Sequence, residues 1–107
     1  MMTRDDLYQA LKEIGLPVLY QGPKKPTKPP FIVYFFAYKS DMMAENQNYV
    51  DIDNYQVELY TKNKDPATEK LVESKLKELG LPYSKTETFV QSEGLFQLVY
   101  EIQLIGG

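Results

Sequence analysis

Asp53-Asn54-Tyr55-Gln56-Val57-Glu58-Leu59-Tyr60-Thr61-Lys62-Asn63-Lys64-Asp65-Pro66 is the stretch whose reading decides the fold. Its first nine residues alternate. Tyr55, Val57 and Leu59 point one way and Asn54, Gln56 and Glu58 the other, as in a strand with one buried face. Lys62-Asn63-Lys64 reads as a turn. Asp65 offers an acceptor to the free N–H groups of a following helix, and Pro66 sits where its missing N–H costs nothing. That helix is expected to run to about Leu79, with Leu71, Val72, Leu76 and Leu79 as its apolar face. Gly80 suits the left-handed residue that ends it, and Pro82 blocks continuation. Strand, turn and amphipathic helix in this order predict a sheet with a helix packed on it.

Working outward toward the N-terminus, Thr3 and Asp6 have the spacing of a capping box, with Asp in place of Glu. Leu7, Ala10, Leu11 and Ile14 make the apolar face of a first helix, ended by Gly15 and followed by Pro17. The same ending recurs in Leu76-Lys77-Glu78-Leu79-Gly80-Leu81-Pro82, which reads as shared capping chemistry because the flanking strands do not match. Val18-Leu19-Tyr20 is a short extended piece. From Gln21 to Pro30, prolines 23, 26, 29 and 30 interleave with Lys24, Lys25 and Lys28. This composition excludes helix and central strand and favours an extended arm. It reads as a stiff loop, a basic contact arm, or a proline-rich ligand for an aromatic groove.

Phe31 to Tyr38 has the length and β-rich composition of a strand, but both of its faces are apolar. Phe31, Val33, Phe35 and Ala37 lie on one; Ile32, Tyr34, Phe36 and Tyr38 on the other. Two helices cover one sheet face, so the second face requires the sheet to curl or another protein to cover it. The expected contact residues are accordingly Ile32, Tyr34, Phe36 and Tyr38. Lys24, Lys25 and Lys28 of the arm join them, as do Met42 and Met43 in a polar loop from Lys39 to Asn48. Asp41, Glu45, Asn46, Asn48, Asp51 and Asp53 scatter oxygen ligands there, but the spacing matches no calcium loop and no metal is expected.

Beyond the second helix, Tyr83 to Val90 carries Lys85, Glu87 and three hydroxyl residues, as an exposed or edge strand does. Gln91-Ser92-Glu93-Gly94 is a turn. Leu95 to Ile105 is a final strand with Phe96, Leu98, Tyr100, Ile102 and Leu104 inward. The predicted order is α-β-β-β-α-β-β. The fold class is α+β, a two-layer sandwich whose mostly antiparallel sheet carries two helices on one face.

The 107 residues form one expected domain, 1–107, with enough apolar content for one core. The net charge of -3 disfavours duplex DNA and anionic membranes as partners. With neither His nor Cys in the sequence, thiolate nucleophiles, disulfides and imidazole chemistry are excluded. Ser74–Lys75 and Ser84–Lys85 are adjacent pairs whose side chains diverge, and no glycine-rich phosphate loop occurs. Glu69, Glu73, Lys70 and Lys77 read as a solvated helix face. No enzyme activity and no cofactor are therefore expected. No run approaches the ~18 apolar residues of a membrane span, and the start lacks a signal-peptide core, so the expectation is a soluble protein made in the cytoplasm.

Three stretches together resemble a known group: Leu16-Pro17-Val18-Leu19-Tyr20, Pro29-Pro30-Phe31-Ile32-Val33-Tyr34, and Tyr55 through Asp65. In this order and spacing they are similar to small proteins from the structural-gene blocks of tailed bacteriophages and prophages of Gram-positive bacteria. These are described as tail-completion, tail-terminator or head–tail joining proteins. The resemblance covers about Leu16 to Ile105 and rests on strand-and-turn patterns. It implies an α+β fold and a virion structural protein without enzymatic activity or cofactor. It also implies a ring, commonly hexameric, at the head-proximal end of the tail, with the tail tube and head–tail connector as partners. An alternative from another class is a small binding module that presents an aromatic sheet face to a protein or to single-stranded nucleic acid. Tyr34, Phe36 and Tyr38 beside Lys39 would be its stacking platform. A single Arg and a negative net charge argue against the nucleic-acid form.

Overall fold

The computed structural model describes residues 2–44 and 47–106, and between 42 and 49 the backbone only. Two helices and six strands are present among the described residues: α1 (Arg4–Lys12), β1 (Val18–Tyr20), β2 (Phe31–Lys39), β3 (Met42–Ala44), β4 (Gln47–Thr61), α2 (Pro66–Glu78), β5 (Ser84–Val90) and β6 (Leu95–Gly106). The sheet order is β1-β2-β4-β6-β5, with β3 paired to the leading part of β4. All neighbours are antiparallel except β1 and β2, where Val18, Leu19 and Tyr20 lie beside Ile32, Val33 and Tyr34 in parallel. The α+β class and the two helices on one sheet face are as the sequence predicts.

Local chemistry sets the helix starts. The Thr3 hydroxyl accepts from the Asp6 N–H at 3.1 Å, and the Asp6 carboxylate accepts from the Thr3 N–H at 2.9 Å. This reciprocal box satisfies two of the N–H groups that a helix start leaves free. Asp65 caps α2 by accepting from the Thr68 N–H at 3.2 Å, with Pro66 at the first helical position. The two ends differ more than the repeated sequence suggests. At α2, Gly80 takes φ 72 and the Leu81 N–H reaches back to the Leu76 carbonyl at 2.9 Å, a Schellman closure. At α1, the chain leaves the helix through tighter turns, Ile14 N–H to Leu11 and Gly15 N–H to Lys12.

The core lies between the helices and one sheet face. Leu7 and Leu11 of α1 and Val72 and Leu76 of α2 pack on Ile32, Val57, Leu59, Leu98, Tyr100 and Ile102. The alternation read in β4 and β6 is the one observed: Tyr55, Val57 and Leu59 lie opposite Ile102, Tyr100 and Leu98 on the covered face. Each fully buried aliphatic side chain contributes about 1.5–3 kcal/mol.

Three expectations are corrected. The stretch Lys39–Asn48 is not a simple loop: Met42–Ala44 pairs with Gln47–Val50, so β4 starts at Gln47 and not at Asp53. Over its 15 residues β4 spans roughly 50 Å at ~3.3 Å per residue, matching the molecule's 49 Å long axis. Leu71 is exposed by 53 %, whereas Glu69 is buried to 3 %. The buried stripe of α2 is Glu69, Val72 and Leu76, rotated about a residue from the purely apolar reading. Glu69 and Glu73 consequently do not form a solvated face.

Candidate assembly surface

The helix-covered side closes on itself, charges included. The Glu69 carboxylate accepts from Lys64 Nζ at 2.7 Å and from Lys85 Nζ at 2.8 Å. Lys85 Nζ also reaches Glu73 at 2.7 Å, and the Tyr100 hydroxyl donates to Glu73 at 2.8 Å. Lys64 further pairs with Glu87. Burial alone would push the Glu69 and Glu73 carboxyls up; the lysine donors outweigh it and hold both below the ordinary range. Burial would likewise lower the Lys85 ammonium, but the two carboxylates raise it. Burial, reinforced by the Glu73 carboxylate, pushes the Tyr100 phenol well up. The network staples edge strand β5 to α2. As predicted, β5 lies at the edge, but its charged side chains point to the helix layer and its hydroxyls to the opposite face.

The uncovered face is built differently. Phe31 stacks on Tyr60 at 5.0 Å, and Phe31 and Val33 are buried there. Part of the second apolar face of β2 is therefore closed within the chain. Farther along, polar side chains form a ladder across the strands. Asn54 donates to the Tyr38 carbonyl at 3.1 Å and to the Ser40 hydroxyl at 2.8 Å, and Gln103 donates to Asn54 at 3.1 Å. Gln97 donates to the Tyr60 hydroxyl, which donates to Glu58, each at 2.8 Å. Burial first, then the Glu58 carboxylate, raises the Tyr60 phenol to about 12.

The register of β2 shifts between Phe36 and Tyr38, where Phe36 lies opposite Tyr55 but Tyr38 lies opposite Asn54. This bulge inserts Ala37 and turns Tyr38 onto the uncovered face. Asn54 holds the bulge through the Tyr38 carbonyl. Its role escapes a reading by alternation, although an Asn in mid-strand is the signal that marks it.

The expected contact residues thus separate. Ile32 is fully buried in the core, and Tyr34 is 5 % exposed between the rings of Tyr8 and Tyr20, at 6.0 and 5.1 Å. Neither is available to a partner, because α1 and β1 cover this end of the face. Phe36 stays on the same side, 42 % exposed, edge-on to Tyr55 at 5.8 Å. Tyr38 is 61 % exposed on the opposite side. The three-ring platform expected for a stacking module therefore does not form. Lys24, Lys25 and Lys28 are exposed, and none has an ion-pair partner among the described residues. Gln21 and Gly22 carry positive φ values of 66 and 114, turning the chain out of β1 into the arm. Met42 and Met43 lie in β3, with side chains outside the described residues; Glu45 and Asn46 lie outside them entirely.

Two clefts flank β4. One, of about 290 Å³, crosses the uncovered face from Tyr38 over Gln56, Gln103 and Glu101 to Pro82 and Tyr83. The other lies on the helix side beneath the start of α1 and mixes Arg4, Asp5, Lys39, Asp51 and Asp53. Its signs offset one another, and Lys39 lies 3.7 Å from Asp51. No group of three or more metal-ligating side chains occurs among the described residues, and no helix is long and apolar enough to cross a membrane.

No family model matches the chain, and no curated protein sequence does. Among solved structures, it is similar to a chain of the "Virion of native gene transfer agent (GTA) particle". The TM-score is 0.64 and the identity 14 %, with 94 % of this chain and 92 % of that chain covered. At this identity the likeness is one of fold: the same arrangement of helices and sheet, over nearly the whole of both chains, is used inside a virion.

Proposed function

We propose that the protein is a structural component of a tailed-phage-like virion, of the tail-completion or head–tail joining type. It acts without chemistry and without a cofactor. It associates with itself into a ring, hexameric in the group it resembles, and docks onto tail-tube and connector proteins. It is made in the host cytoplasm and ends in the particle. The observation that carries this reading is the near full-length fold match to a chain of a gene transfer agent virion. The Tyr55–Asp65 and Pro29–Tyr34 stretches support it from the sequence side. The uncovered face, with Tyr38 and Ile105 exposed by 61 and 57 %, and the basic arm, whose lysines have no ion-pair partner among the described residues, supply surface for association.

The test is genetic and structural together. Particles from the native virus should contain the protein in a fixed copy number by mass spectrometry. Loss of its gene should leave heads and tails that fail to join or finish, seen by electron microscopy. Infectious, complete particles without it would refute the reading. In the same background, deleting Lys24 to Lys28 should abolish assembly while thermal unfolding of the purified protein stays nearly unchanged, because the arm lies outside the core.

A further inference from the structure

The geometry points to the groove on the uncovered face as the receptor for the Gln21–Pro30 arm of a second copy of this chain. This rests on the self-association reading above and names its two contact surfaces. Prolines 23, 26 and 29 recur every third residue. In a polyproline II helix, which has three residues per turn, they fall on one edge. Lys25 and Lys28 fall on a second edge by the same count. In that conformation the arm presents a proline ridge beside a row of charge; in the free chain it bends at Lys24-Lys25, where the Thr27 hydroxyl donates to the Lys25 carbonyl at 3.2 Å, so docking straightens it.

The groove supplies the matching groups. Tyr38 at one end and Pro82 at the other offer apolar walls for proline rings, while the Tyr83 ring beside Pro82 turns into the core against Tyr100 at 5.4 Å. Gln56 between them carries amide donors for the arm's carbonyls, and Gln103 keeps one N–H beside the one it gives to Asn54. Glu101 is exposed in the same groove and has no ion-pair partner among the described residues. It thus meets the lysine edge, which is equally unpaired. This charge complementarity selects the chain's own arm over an acidic partner or a nucleic acid. Recognition of proline-rich segments by aromatic-lined grooves uses the same combination, and the prolines limit the backbone freedom that the arm has to lose.

No residue of the arm lines the groove of its own chain. The arm connects β1 to the start of β2, whereas the groove begins at Ala37 and Tyr38 near the end of β2. Arm and groove are different surfaces, so the contact is head-to-tail, the kind that closes into a ring when the rotation permits.

The test titrates isotope-labelled full-length protein, dilute enough to be monomeric, with the synthetic peptide Gln-Gly-Pro-Lys-Lys-Pro-Thr-Lys-Pro-Pro. Amide shifts should concentrate at Tyr38, Asn54, Gln56, Glu101 and Gln103. Replacing prolines 23, 26 and 29 of the peptide by Ala, or using the Glu101→Lys protein, should weaken binding at least about tenfold. The peptide should also lower the weight-average mass of concentrated wild-type protein. Absence of shifts at millimolar peptide, shifts confined to another surface, or equal binding of the proline-free peptide would overturn the inference. So would tighter binding of an oligonucleotide to the groove. Because Glu101 is exposed, its variant keeps its fold, checked by unfolding. The virion reading fails separately, by absence of the protein from purified particles, whatever the peptide does.

Discussion

The two faces of the sheet share every long strand and end in opposite states. Under the helices, Leu59, Leu98 and Tyr100 are fully buried, and even Glu69 is 3 % exposed with a lysine on each oxygen. On the other face, Phe31 and Val33 are closed by their own neighbours, whereas Tyr38 and Ile105 stand more than half exposed around a polar ladder. Strand β2 contributes apolar residues to both sides. What separates them is the presence of a covering layer, so apolar composition on a strand marks a demand for burial and does not say which neighbour meets it.

Substitutions should separate the faces by size of effect. Leu76→Ala opens a cavity in the closed layer and should cost about 3 kcal/mol in denaturant unfolding. A loss below ~1 kcal/mol would mean that the layer is loosely packed. Glu69→Gln should come next, at about 2 kcal/mol. This is below the ~3–5 of a fully buried pair, because the Lys64 and Lys85 side chains keep 44 and 33 % exposure. A neutral result would make the network a surface feature after all.

Titration probes both faces at once. The phenols of Tyr60 and Tyr100 are raised above the ordinary value of 10.0, so each contributes stability that is present below it and lost as pH rises toward the folded values. Unfolding free energy should fall above pH ~10, and these two rings should be the last to show tyrosinate absorbance. Glu69 and Glu73 act at the other end. Their carboxyls are lowered below 4.5, so their contribution is present above that value and fades as pH falls through the folded values. The smallest stability effect belongs to Tyr38→Ala, within ~0.5 kcal/mol because the ring is exposed. It should nonetheless reduce the concentration-dependent rise in mass by light scattering. Loss of stability with association intact would move Tyr38 into the closed layer and erase the contrast.

Much of this architecture is legible residue by residue. The Thr3–Asp6 box, the Asp65–Pro66 start and the alternation of β4 and β6 each depend on neighbours a few positions away. Glu69 misleads because Lys85 reaches it only when β5 folds beside β6 and under α2, joining Lys64 from the turn that precedes the helix. Leu71 misleads because a leucine on a helix is read as buried until the helix is rotated onto a particular sheet. The proposed contact surface is partly legible in the lysines of the arm and in the doubly apolar β2. Its composition changed once the bulge at Ala37 sent Tyr38 to the open side while α1 and β1 took Ile32 and Tyr34.

Capping chemistry, strand periodicity and the lack of His and Cys specify the elements, the layer type and the kinds of catalysis that are out of reach, because those are matters of local spacing and of which atoms are present. Which face of β2 closes, where Glu69 finds its cations, and which side presents Tyr38 depend on strand order and on one residue of register. Those are settled only by the long-range pairing of β4 with β2 and β6, where burying the apolar surface outweighs the local preference of any single side chain.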